Sequence, residues 1–287
     1  MRTDGLFTLH EFVVRNWQFG RTLRLIPFGD IHRDSPAHSD NKWKEFLDHT
    51  RKLRDTVYLG MGDYLDSYST SERALVYNEK IHESTRKRDE EMSKGRVNLL
   101  AKELAHLNGK TVGLLGGNHF VQFANGTTGD MLLASHLGTS YLGVCSAIRI
   151  LFDGMKGQTQ TTIDIFAHHG RGAGVTAAGK FNAVEKLSQV CDADIFLMGD
   201  NHARGAFPLG DKLRIAKNPN GLYLRSRQAF IGRTGSFLRG YVPNMQNYVV
   251  DGAMTPANLG WIEFEFTPKR TCADGGDRVY VEIKAVQ

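Results

Sequence analysis

Cysteine is scarce and scattered. Cys145, Cys191 and Cys272 are the three in 287 residues, and no two form a CxxC pair. That pattern excludes a disulfide framework and a zinc ribbon and fits a reducing compartment. Long apolar runs are lacking too. None approaches the roughly 20 residues of a membrane-spanning helix. Met1 to Gly20 mixes charges among its apolar residues and has no signal-peptide core. A cytoplasmic protein without a membrane partner is expected. There is no internal repeat, no low-complexity tract and no Pro/Gly/Ser-rich linker, so a single domain spanning 1–287 is expected.

What is present is ordinary for a globular chain, with 41% hydrophobic and 23% charged residues. A chain of this length can bury its core without structural metals, so metal ligands need not serve stability. The net charge of +5 is mildly basic. It suits an anionic substrate such as a nucleotide or nucleic acid, although solubility alone accounts for it equally well.

The most readable pattern is a series of short apolar runs, each ending in Gly with Asp, Asn or His. Leu23–Phe28 precedes Gly29-Asp30-Ile31-His32, and Thr56–Leu59 precedes Gly62-Asp63. Thr111–Leu115 precedes Gly117-Asn118-His119, and Thr162–Ala167 precedes His168-His169-Gly170. Ile195–Met198 precedes Gly199-Asp200-Asn201-His202. Runs of this length and composition read as buried strands. Helices are expected over Asn41–Leu53, Glu79–Leu107 and Phe181–Val190. Strands alternating with helices predict α/β layering, in which ligands bind beyond the carboxyl ends of the strands. Past Pro208, further runs at Leu222–Leu224, Gln228–Ile231, Trp261–Phe266 and Val279–Ile283 predict antiparallel strands, so that 220–287 completes the sheets.

The five clusters offer carboxylate, imidazole and amide oxygen: Asp30, His32, Asp63, Asn118, His169, Asp200 and His202. This donor mixture suits Mn²⁺, Fe or Zn²⁺ better than Ca²⁺. Two such ions about 3.5–4 Å apart can clamp the attacking and leaving oxygens of a phosphoryl transfer. Each cluster alone is common. Their joint order, with five of the eleven histidines in them, is not.

In that order the motifs resemble the calcineurin-like metallophosphoesterases. The matching residues run from Gly29 to His202, and Gly235–Tyr241 with Pro256 and Leu259-Gly260 more loosely resembles the last strands of small bacterial and phage members. The resemblance implies a four-layer α/β/β/α sandwich with mixed sheets and two divalent ions, Mn²⁺ foremost, with Mg²⁺, Fe and Zn²⁺ as alternatives. It implies that Asp30, His32 and His202 bind the first metal, that Asp63 bridges, and that Asn118 and His169 bind the second. His119 would stand beside the scissile phosphate as general acid or charge stabiliser.

The chain departs from the family in two places. The usual Gly-His-x-His reads Gly199-Asp200-Asn201-His202, so Asp200 replaces a histidine ligand and predicts a shift towards Mn²⁺ or Mg²⁺. Phe120 stands where many members carry an acid that orients the histidine. His119 then needs another partner, for which Asp66 is a candidate, although Asp66 equally suits a helix cap. Of the pair His168-His169, the one preceding Gly is favoured as ligand, leaving His168 as a neighbour or a core residue.

Gly174–Lys180 has P-loop spacing, but Phe181 follows where Mg²⁺ coordination needs Ser or Thr. A Gly-rich turn entering a helix is the preferred reading. Arg33 and Arg204 flank ligand positions and are candidates for gripping substrate phosphate; the alternative for each is an ion pair with a neighbouring carboxylate. The stretch 68–103 is longer than a crossover needs and is a candidate helical lid. The chain is thus expected to hydrolyse phosphate esters, with a phosphodiester in DNA or RNA slightly ahead of a small nucleotide or metabolite. A non-catalytic metal-binding scaffold is the alternative of another class.

Overall fold

The computed structural model describes all residues except 1, 4–5, 70, 74–82, 155–160, 171–173, 175, 219–220, 246–247, 252–254, 257, 274–275 and 287. The strands of its first half are β1 (Arg2–Thr3), β2 (Thr8–Trp17), β3 (Leu23–Phe28), β4 (Thr56–Gly60), β5 (Thr111–Leu114), β6 (Cys145–Gly154) and β7 (Thr161–His168). Then come β8 (Ile195–Met198), β9 (Arg204–Pro208), β10 (Lys212–Asn218), β11 (Gly221–Arg227), β12 (Phe230–Thr234), β13 (Glu263–Ala273) and β14 (Gly276–Val286). The helices are α1 (Asp40–Lys52), α2 (Glu83–Glu103), α3 (Gly129–His136), α4 (Ala177–Glu185) and the single turn α5 (Tyr248–Asp251).

Two mixed sheets form, one ordered β1-β2-β6-β7-β8-β12-β9 and the other β14-β13-β3-β4-β5. Period-2 alternation sorts each buried strand between two cores. Leu25, Leu59, Ile165 and Leu197 meet Ile150, Phe264 and Phe266 between the sheets. The alternate residues Ile26, Phe28 and Tyr58 point outward to Trp43 and Phe46 of α1, Val97 and Leu100 of α2, and Leu133 of α3. On the far side Phe166, Phe196 and Met198 receive Val184 of α4 and Leu187. The result is helix, sheet, sheet, helix, the expected four-layer sandwich. Each Leu, Ile or Phe so buried contributes about 1.5–3 kcal/mol, and strands covered on both faces explain the near-continuous apolar runs.

Helix α1 shows the local logic. Trp43, Phe46, Leu47 and Thr50 are buried at helical spacing. Asp40 in the first turn and Arg51 and Lys52 in the last complement the helix dipole. The helix stops at Leu53, which is extended.

The C-terminal region differs from expectation twice. First, β12 lies between β8 and β9, parallel to β8 and antiparallel only to β9. The chain leaves along β9 at the edge and returns inside it, and that insertion dictates the direction. Second, β11 joins neither sheet but pairs with β10 as a separate hairpin. The remaining strands, β13 and β14, pair antiparallel with each other, and β13 pairs antiparallel with β3 in the five-stranded sheet. Most of the linking part of the 68–103 segment lies outside the described residues. Its last part, α2, packs on the five-stranded sheet.

Candidate metal centre

Strands β3, β4 and β5 are parallel, as are β7 and β8, so the loops after them gather at carboxyl ends. These loops carry all five clusters. Asp30 N–H donates to the Gly62 carbonyl at 2.9 Å, and Asp200 N–H donates to the Asp30 carboxylate at 3.0 and 3.1 Å. The second contact joins loops from the two sheets. Ser236 Oγ and Phe237 N–H both donate to the Asp30 carbonyl, at 2.9 and 3.0 Å, and tie that loop to the chain after β12.

The backbone here is unusual. Among the described residues eight non-glycines have left-handed φ, and five of them are Asp30, His32, Asp63, Asp200 and His202. L-residues visit that region at a cost, so the surrounding hydrogen bonds must hold them there. The glycines of the motifs provide room. A Cβ on Gly117 would lie 2.0 Å from Asp63 Oδ1 and 2.2 Å from its nitrogen, and one on Gly62 would lie 2.5 Å from His169 Nδ1.

Three histidines share one device. His169 Nδ1 lies 2.7 Å from the Met61 carbonyl, His32 Nδ1 3.0 Å from Asp66 Oδ1, and His119 Nδ1 3.1 Å from the Ser67 carbonyl. Each acceptor takes the Nδ1 proton in a hydrogen bond and leaves Nε2 as the atom through which the histidine ligates metal or exchanges a proton. Asp66 therefore serves chiefly His32; its distance to His119 Nδ1 is 3.5 Å. Phe120, in place of an acid, lies under the Arg73 guanidinium at 3.7 Å, and Arg73 donates to the Asn118 carbonyl at 2.6 Å.

The ligand candidates converge. Asp30, His32 and His202 present ligand atoms within 4.8 Å of one another, and so do Asp30, Asp63 and His169. His169 Nε2 is 3.4 Å from Asp63 Oδ2 and 3.8 Å from Asp200 Oδ1, which accepts from Asn118 Nδ2 at 2.5 Å. The structure thus brings together all seven residues inferred from sequence. His168 stands apart: its Nδ1 accepts from Gly170 N–H at 2.8 Å.

The buried charges of the cluster shift one another. Burial raises Asp30 to about 7, with Asp63 and Asp200 adding to the rise against the pull of His169 and His32. Asp200 is raised for the same reasons. Burial would raise Asp63 as well, but His169 and His32 overcome it and hold it well below the carboxylate range. Burial works against a charged His169, yet Asp63 and Asp30 lift it to about 10. His202, buried and beside His32, is pushed down to about 3.

The donor set fits metal. Four buried atoms here have no hydrogen-bond partner: His32 Nε2, Asn118 Oδ1, His169 Nε2 and Asp200 Oδ2. Leaving a buried polar atom unpaired costs about 1–3 kcal/mol. Four such atoms in one cluster, all of metal-ligating type, are donors that bound cations would satisfy together.

The two arginine candidates have other partners. Arg33 donates to Glu103 and Asp40 at 3.0 Å each, whereas Asp34, its nearest acid in sequence, pairs with Arg96 at 2.7 Å. Arg33 is thus the ion pair of the alternative reading. Arg204 donates to the Leu259 carbonyl at 3.2 Å. In the Gly174–Lys180 stretch Thr176 caps α4, its Oγ1 accepting from Gly179 N–H, and residues 171–173 and 175 lie outside the described residues.

Sequence reasoning did not find Arg73 or Asp130, and gave no role to Arg233. Asp130 Oδ2 accepts from Gly117 N–H at 2.9 Å. Arg233, fully buried, donates to the Gly199 and Lys180 carbonyls at 2.6 and 2.8 Å. Burial lowers its pKa to about 10, against the pull of Asp30 and Asp200. These contacts run largely through backbone atoms, which leave no mark on the sequence.

No protein-family model matches the chain, nor does any curated protein sequence. Among solved structures, a single mutant of Vps29 from Entamoeba histolytica aligns at 15% identity over 92% of this chain and 100% of its own, with a TM-score of 0.38. Wild-type Vps29 of that organism complexed with Zn²⁺ aligns at 14% identity over 91% and 99%, also at 0.38. Vps29 of Cryptosporidium parvum aligns at 13% over 94% and 100%, at 0.35.

Proposed function

We propose that the protein is a metal-dependent phosphoesterase that works through two divalent ions, with phosphodiesters as its first substrates. The observation that carries this reading is the grouping around Asp63 of four residues with unpartnered ligand atoms, His32, Asn118, His169 and Asp200. The ordered motifs, which resemble those of the calcineurin-like metallophosphoesterases, support it.

Asp30, His32 and His202 would hold one ion, Asn118, His169 and Asp200 the other, and Asp63 would lie between. When bound, such a pair supplies hydroxide near neutral pH and offsets charge on the phosphoryl oxygens. Mn²⁺ suits the mixed oxygen and nitrogen donors, and Asp200 strengthens the preference for a harder ion. The protein's own part is positional. Met61 and Ser67 carbonyls and the Asp66 carboxylate fix three imidazole rings. His119, on the cavity wall, holds its Nδ1 proton on Ser67 and can carry a second proton at Nε2. That second proton is the one delivered to a leaving oxygen.

The test is hydrolysis of bis-p-nitrophenyl phosphate by metal-stripped protein reconstituted with Mn²⁺. Diester cleavage that needs Mn²⁺ and disappears in Asp63→Asn and His119→Ala is expected. Cleavage of p-nitrophenyl phosphate alone would replace the diesterase reading with a phosphatase. No turnover despite bound metal would favour a non-catalytic metal-binding scaffold.

A further inference from the structure

The ligand residues form only part of the lining of a cavity of about 480 Å³. The rest of the lining is chemically different. It includes an apolar wall of Pro36, Ala37, Leu238, Met245 and Val249, with Ser35 and Arg239 also present. From the geometry we infer that this wall selects an organic part of the substrate: a compact, largely apolar group of nucleoside size on one ester oxygen of the phosphate, not a polynucleotide strand. The inference rests on the phosphoesterase reading for the position of the phosphate.

Three observations carry it. The first is size. A cavity of about 300–1,000 Å³ encloses a single small ligand, and this one lies at the lower end of that range. The second is construction. Val249, on α5, is buried against Gly240, where an added Cβ would lie 2.8 Å from Val249 Cγ1. Leu238 is held next to Ala37 because Arg239 N–H donates to the Ala37 carbonyl at 2.9 Å and Arg239 Nε donates to the same oxygen at 3.3 Å. The apolar wall is thus tied to the loop that carries His32. The third is charge. A single-strand channel combines a basic rail with aromatic stacking platforms. This lining has one arginine and, among its described residues, no lysine and no Phe, Tyr or Trp.

Arg239 completes the arrangement. Its side chain is exposed, and its two terminal nitrogens carry no hydrogen bond among the described residues. It can donate in fork fashion to a second anionic or carbonyl oxygen of the substrate, while the apolar wall covers the group between.

The experiment is calorimetric titration of the Mn²⁺-loaded protein with thymidine 5′-monophosphate, phenyl phosphate, methyl phosphate and a 12-nucleotide single strand. Thymidine 5′-monophosphate is expected to bind at least tenfold more tightly than methyl phosphate, with phenyl phosphate between them. Met245→Trp fills the cavity and is expected to weaken the nucleotide at least tenfold while leaving methyl phosphate within twofold. Arg239→Ala should weaken the nucleotide several-fold and leave phenyl and methyl phosphate unchanged. Equal binding of all three small ligands, or a Met245→Trp variant that binds the nucleotide as the parent does, would overturn the inference. So would a strand binding more than tenfold tighter than the nucleotide with steep salt dependence. Because binding is read directly, loss of hydrolysis with the preference intact would remove only the hydrolase reading. Hydrolysis without the preference would remove only this one.

Discussion

Gly117→Ala tests how tightly the motif glycines constrain the centre. The added Cβ would fall 2.2 Å from the backbone nitrogen of Asp63 and closer still to its carboxylate. Ordinary contact for such atoms is about 3.5 Å or more, so the two loops must part by about 1 Å. Overpacking of this kind costs about 1–3 kcal/mol of stability. The loss at the centre should be larger, because metal ligands tolerate deviations of only about 0.2 Å. A displacement of about 1 Å can also cost about 100-fold in rate. Gly95→Ala in α2 is the matched control. Nothing lies within 4 Å of its added Cβ, and an alanine inside a helix gains about 1 kcal/mol over glycine. Urea unfolding and Mn²⁺ titration should show Gly95→Ala slightly more stable with unchanged metal affinity. Gly117→Ala should remain folded and lose at least tenfold in Mn²⁺ affinity. Parental Mn²⁺ affinity in Gly117→Ala would refute the idea that close loop contact sets the ligand geometry.

Other outcomes follow from particular contacts. Asp66→Ala removes the acceptor that fixes His32 and should lower Mn²⁺ affinity about 10–100-fold, measured by competition with a chelating dye; unchanged affinity would contradict that role. Asp200→His should move preference from Mn²⁺ towards Zn²⁺, read from metal content after equilibration with both ions; an unchanged ratio would count against the charge argument. Asp130, raised by burial to about 7 and pulled back by the Gly117 N–H, keeps its proton in the folded protein where the unfolded chain has lost it above 3.8. Its contribution to stability is therefore full below about pH 4 and fades as pH rises towards 7. Asp130→Asn keeps an acceptor for Gly117 and has no proton to lose. In the metal-free protein it should be more stable than the parent at pH 8 and equal to it at pH 4; a constant difference across that range would refute the assignment.

Much of the fold was legible because its central strands are buried on both faces. Leu23–Phe28 and Ile195–Met198 appear in the structure with the bounds their apolar runs predict. Strands β2 and β6 were not foreseen, since polar and charged residues interrupt them and much of their surface is half-buried. The parallel pairing of β12 was equally hidden, being decided by where the chain re-enters the sheet and not by composition. The ligand candidates were legible as residue types behind strand ends. Their supports were not: the carbonyls of Met61, Ser67 and Gly199 belong to no residue type. Nor did the sequence distinguish Arg33, taken up by Glu103 and Asp40, from Arg239, which lines the cavity.

The central claim is that Asp30, Asp63 and His169, with their neighbours, hold two ions. Anomalous diffraction from crystals grown in Mn²⁺ measures this directly. The account predicts two peaks within bonding distance of these residues, one beside His32 and His202 and one beside Asn118 and His169, with Asp63 touching both. A single peak, or manganese bound elsewhere with Asp63 unligated, would contradict it.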